Sequence, residues 1–217
     1  MKYDKEEKSE VKTVLFSFID LMCGAVFALP FAWLFMAYCK NGSRKRFLLI
    51  SLFTLYLCKM FDVVGIPAVQ YFRWGPAINL IPFGDEKNLR FFLQLGLNAV
   101  MFMPFGFMLP VLWEKCRTWS STLLAGFFTS LAIEIIQLFS FRATDVDDLI
   151  MNTLGSCLGY VLSWALFRKK WAREPEQDSG RVSQWCSLTV SILIPMLVIV
   201  FLRTCLSNWV YGLRLFD

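Results

Sequence analysis

Apolar residues fall in six long runs along the chain, and polar residues gather between them. The runs lie at roughly 14–38, 47–66, 91–113, 119–139, 148–167 and 185–206. Each approaches the ~20 apolar residues that an α-helix needs to cross the hydrocarbon core of a bilayer. Each therefore predicts a helix. The expected fold is all-α: a polytopic transmembrane helix bundle of about six spans. The second run carries Lys59 and Asp62, and if it is re-entrant the number falls to five. At i,i+3 spacing these two side chains can pair on one helix face. The first run is too long and too late to be a cleaved signal peptide. No linker, repeat or low-complexity stretch divides the chain, so residues 1–217 read as a single integral-membrane domain.

Composition agrees with lipid as the solvent. Of the 217 residues 57% are hydrophobic and 18% charged, and mean hydropathy is +0.53; soluble domains carry about 25% charged residues. The net charge of +5 reflects basic loops near lipid headgroups, and no nucleic-acid patch is visible. Seven cysteines stand singly, without a CxxC pair, and are expected to be buried small hydrophobes. Histidine is absent, which excludes His metal sites, Ser-His and Cys-His triads, and phosphohistidine chemistry. No nucleotide loop or serine-nucleophile motif is present.

Basic residues orient the spans. Loops after the first, third and fifth carry Lys40, Arg44, Lys45, Arg46; Lys115, Arg117; and Arg168, Lys169, Lys170, Arg173, Arg181. The other loops and the chain end carry fewer: Arg73, Lys87, Arg90; Arg142; Arg203, Arg214. This bias places loops 67–90 and 140–148 on the extracytoplasmic side, although four lysines in the N-terminal tail oppose it.

Polar groups inside the runs are the candidate chemistry, because each needs a partner or a wet cavity in lipid. Ser130, Glu134 and Gln137 share one face of the fourth run. On the fifth, Asp148, Asn152, Gly155 and Gly159 recur at steps of four, three and four. The Gly-xxx-Gly spacing admits a neighbouring backbone at close range. With Asn98 and the segment carrying Arg142, Asp145 and Asp147, these stripes could line one pocket. Simpler roles exist: the aspartates could cap the fifth helix, and Glu134 with Gln137 could be interhelical glue.

The stretches "NLIPFG" (79–84), "GLNAVMFMPFGFMLP" (96–110), "TSLAIEIIQLF" (129–139) and "FRATDVDDLIMNTLGSCLGY" (141–160) together resemble the VanZ-like family. All four blocks occur in the family's order, over about 79–160. The resemblance implies a multi-pass protein of the bacterial plasma membrane, tied to the cell envelope and to low-level resistance to the glycopeptide teicoplanin. It carries the family's polar positions onto Asn79, Asn98, Ser130, Glu134, Gln137, Arg142, Asp145, Asp147, Asp148 and Asn152.

Two functions follow. In the first, the pocket takes the polar head of a membrane amphiphile such as a phospholipid, a lipid-linked cell-wall intermediate or a glycopeptide. Glu134, Asp148 and Asp145 are the candidates for acid–base work. Asn79, Asn98, Gln137, Arg142, Asp147 and Asn152 are those for binding, Arg142 through its planar fork. Asp145, Asp147 and Asp148 are the candidate oxygen ligands of a divalent cation, Mg²⁺ or Ca²⁺, unless Arg142 neutralises one of them. In the second, the protein is a non-catalytic accessory or lipid-translocating factor whose polar cluster is structural or binding only.

Overall fold

The computed structural model describes residues 21–34, 44–74, 78–84, 89–140, 144–173 and 181–202. Among these, five helices are long and apolar enough to cross a membrane, and a shorter apolar helix, α1 (Leu21–Leu34), precedes them. The protein is a multi-pass, all-α membrane protein. The long helices are α2 (Arg44–Val64), α3 (Leu89–Leu112), α4 (Trp119–Gln137), α5 (Val146–Trp171) and α6 (Arg181–Leu197). A 3₁₀ turn at Val69–Tyr71 extends the second, and α6 runs on as a π-helical stretch, Val198–Leu202. Each lies within a few residues of its predicted run. Of the first run, 14–38, only the part in α1 falls within the described residues. The second is one continuous helix, not a re-entrant loop, and Lys59 Nζ stands 3.0 Å from Asp62 Oδ2 on its surface.

The chain divides into two compact units, Met1–Gln70 with Leu193–Asp217, and Tyr71–Ile192. In the first, Phe53, Leu57, Phe61 and Ile199 are buried. A Cβ on Gly24 of α1 would stand there at van der Waals range, 3.4 Å from Ile199 and 3.8 Å from Cys58.

The second unit holds α3, α4, α5 and the start of α6. Short connections reverse direction twice, so α3 and α5 run parallel with α4 antiparallel to both. Small residues bring α3 and α5 into backbone contact. A Cβ on Gly155 would stand 2.1 Å from the Ala99 carbonyl oxygen, and one on Gly159 2.0 Å from that of Met103. From the other side, a Cβ on Gly106 would meet the Ser156 carbonyl at 1.9 Å. Gly126 of α4 admits the Ser156 side chain in the same way. The predicted Gly-xxx-Gly approach therefore exists, and its partner is α3.

At the opposite end from the acidic residues, the 3₁₀ turn Glu114–Arg117 links α3 to α4. Tyr160 donates its hydroxyl to the Arg117 carbonyl at 2.9 Å, and Gln184 Oε1 accepts the Lys115 N–H at 3.1 Å. Cys23, Cys58, Cys116 and Cys157 are buried as expected, but Cys186 is exposed on α6; Cys39 and Cys205 lie outside the described residues. Burial pushes the Cys116 thiol up to about 12, since desolvation disfavours the thiolate. Only the thiolate attacks electrophiles. Cys116 is therefore expected to stay unlabelled by a water-soluble maleimide at mildly alkaline pH and to label fully after denaturation, as read by peptide mass mapping.

Candidate functional site

The sequence "TDVDDL" starts α5 for a local reason. Asp145 has extended backbone angles and its carboxylate accepts the Asp147 N–H at 2.9 Å, which makes it the N-cap. Asp147 and Asp148 follow in the first turn, where the helix dipole favours negative charge. Arg168, Lys169 and Lys170 sit in the last turn. The charge thus complements both ends of a 26-residue helix, in line with the capping role open to the aspartates from sequence.

Each aspartate turns to a different neighbour. Asp145 also lies 3.4 Å from the Asn79 amide, and its own N–H donates to Glu134 Oε2 at 3.2 Å. Asp147, 1% exposed, accepts the Phe83 N–H on both oxygens, at 2.9 and 3.1 Å. Asp148 accepts from the Asn98 side chain of α3. Lower in the interface, Asn152 donates to Ser130 Oγ at 2.9 Å, and its buried Oδ1 has no hydrogen-bond partner among the described residues.

The segment 78–84 is built into this corner. Ile78–Asn79 (β1) forms a two-residue parallel bridge with Thr144–Asp145 (β2). Thr144 Oγ1 donates to the Glu134 carbonyl at 3.2 Å. Asn79 Oδ1 accepts the Ile81 N–H at 3.2 Å, and Gly84 N–H closes a turn onto the Ile81 carbonyl at 3.2 Å. Pro82 suits the second position of such a turn, while the third needs a positive φ. Phe83 supplies it at φ 54°, a conformation that costs a side-chain-bearing residue about 1–2 kcal/mol. The paired acceptance by Asp147 holds that strained peptide in place.

Asn79, Asn98, Glu134, Asp145, Asp147, Asp148 and Asn152 therefore gather where α3 begins, α4 ends and α5 begins. Gln137 is buried at the end of α4. Arg142 lies outside the described residues. The site has two layers. Asn79, Asn98, Asp145 and Asp148 are half-buried and form the reachable surface. Glu134, Asp147, Ser130 and Asn152 are buried beneath them and hold the backbone. Sequence reasoning missed Thr144, Phe83 and Ser156, which act through backbone groups or backbone proximity.

A divalent cation does not fit the described geometry. The three carboxylates diverge toward Asn79, Phe83 and Asn98, and among the described residues no group of three or more His, Cys, Asp or Glu side chains is placed to hold a metal ion.

The VanZ/LLP1 family profile matches residues 53–168, just over half of the chain and the whole of this site. The chain belongs to the VanZ/LLP1 family. Protein VanZ of Enterococcus faecium is 36% identical over 87 residues, which cover 40% of this chain and 52% of that protein. The chain thus spans about half the length of this VanZ relative. No solved structure matches the chain.

Proposed function

We propose that this VanZ/LLP1 family protein binds the polar head of a membrane amphiphile at the junction of α3, α4 and α5. It would do so in the bacterial plasma membrane, with loops 67–90 and 140–148 outward, and would contribute to glycopeptide resistance of the teicoplanin type. The observation that carries the reading is the Asn98–Asp148 pair, half-buried at the mouth of the junction. Amide and carboxylate there can rearrange to meet hydroxyl, amide or ammonium donors on an incoming head group. A phospholipid, a lipid-linked cell-wall intermediate or the glycopeptide itself all carry such groups.

The layering favours binding over turnover. Glu134 is 4% exposed and already accepts the Asp145 N–H, so a head group meets Asp148, Asp145 and Asn98 before it meets Glu134. In this reading Glu134 sets the position of the β2 segment.

Glu134→Gln and Asp148→Asn preserve shape and keep an oxygen to accept the observed bonds. Asp148→Asn, which removes the charge a head group would meet, is expected to reduce teicoplanin resistance in a susceptible bacterial host to the empty-vector level, with membrane abundance unchanged. Glu134→Gln, which keeps the acceptor for the Asp145 N–H, is expected to retain resistance. Native mass spectrometry should show a co-purifying lipid on the parent protein and its loss in Asp148→Asn. Full resistance in Asp148→Asn would end the proposal.

A further inference from the structure

We infer that residues 78–84 form a membrane-inserted wedge, with Leu80, Ile81 and Phe83 in the acyl region of the adjacent leaflet. The turn inverts the usual relation between a loop and its protein: its backbone is pinned inward and its apolar side chains face outward. Leu80 is 73% exposed and Ile81 69%, and Phe83 is exposed as well. Residues 78–84 contain no charge. A water-facing turn with a positive φ at its third position ordinarily uses glycine or asparagine. Here the position holds Phe83, with its N–H fixed by a buried carboxylate. Strain retained in this way marks a segment whose presentation matters, and what the segment presents is hydrocarbon.

The occupant is identified by continuity. Leu89, Leu93, Leu97 and Val100 make an exposed apolar stripe on α3, at helical spacing that starts five residues beyond Gly84. On a membrane-spanning helix such a stripe faces acyl chains. Beside the turn, the 72–74 segment is tied to the end of α4. Arg73 N–H donates to the Phe139 carbonyl at 2.9 Å, and Phe72 stacks on Phe139 with ring centroids 5.5 Å apart. This leaves Trp74 and Tyr71 exposed at the same end, and exposed Trp and Tyr concentrate at membrane interfaces.

The test places the photo-crosslinker p-benzoylphenylalanine at position 80 or 81 of the full chain. The protein is irradiated in nanodiscs of phosphatidylethanolamine and phosphatidylglycerol, and its adducts are sequenced by mass spectrometry. Phospholipid adducts joined through the acyl chain are expected at both positions. Adducts to another protein, attachment only through head groups, or no adduct would overturn the wedge. Ile81→Asp supplies a second readout that does not depend on the bulky probe. Its side chain packs against little protein, so its melting temperature in detergent should equal that of the parent. In nanodiscs it should lose most of the stabilisation that the parent gains on leaving detergent. An equal gain in parent and variant would place the turn in water.

Discussion

Gly159→Ala should prevent the α3–α5 pair from closing. The added methyl would stand 2.0 Å from the Met103 carbonyl and 2.7 Å from the Phe107 nitrogen, both backbone atoms that no rotamer change can remove. The helices must separate by about 1 Å along their whole contact, and overpacking of that kind costs roughly 1–3 kcal/mol or more. Lipid supplies no compensating hydrophobic drive between helices, because acyl chains are as apolar as leucine. The expected result is a large loss of monodisperse protein on size exclusion, with a lowered melting temperature in what remains. Gly96, with nothing among the described residues within 4 Å of an added Cβ, is the control: Gly96→Ala should behave as the parent or slightly better, since alanine favours helix. Equal behaviour of the two variants would show that α3 and α5 do not meet as described.

Asp147→Ala is expected to release the 78–84 turn. It removes a buried carboxylate that accepts the Phe83 N–H on both oxygens, and a hydrogen bond to a charged group contributes about 1.5–3 kcal/mol. The strained φ of Phe83 then loses both oxygens that accept its N–H. For a chain of this size a loss of about 2 kcal/mol lowers the melting temperature by roughly 4–8 °C. Asp147→Asn keeps one acceptor and should lose about half as much. Proteolysis near Phe83 should rise in the same order, Asp147→Ala above Asp147→Asn above parent. If instead the stabilities match and only lipid retention falls, Asp147 contacts the ligand rather than the turn.

The sequence was most informative where side chains announce themselves by spacing. The spans, the Lys59–Asp62 pair and the Gly155–Gly159 approach follow from helical periodicity, which needs no tertiary knowledge. The meeting of Glu134 with the 144–148 segment could be anticipated, since polar groups in lipid must find one another and few were available. The division of labour among the three aspartates was not legible. Their partners are Asn98 and the backbone N–H groups of Phe83 and Asp147, and a backbone donor leaves no signature in the residue that carries it. The parallel bridge between 78–79 and 144–145 was hidden because two residues are too short to show alternation. Cys186 misled because an exposed thiol on a lipid-facing helix is as apolar in pattern as a buried one. Within the described residues, the acidic cluster reads as a set of struts rather than a cation cage.

The Asn98–Asp148 contact joins positions fifty residues apart. A chain threaded into the bilayer from its N-terminus delivers Asn98 well before Asp148 has been synthesised. Until α5 enters, that amide must be sheltered by the insertion machinery or by water, and the corner stays open. Assembly of this region is therefore a late event in biogenesis, and nascent chains halted before residue 146 should be preferred prey for membrane quality-control proteases.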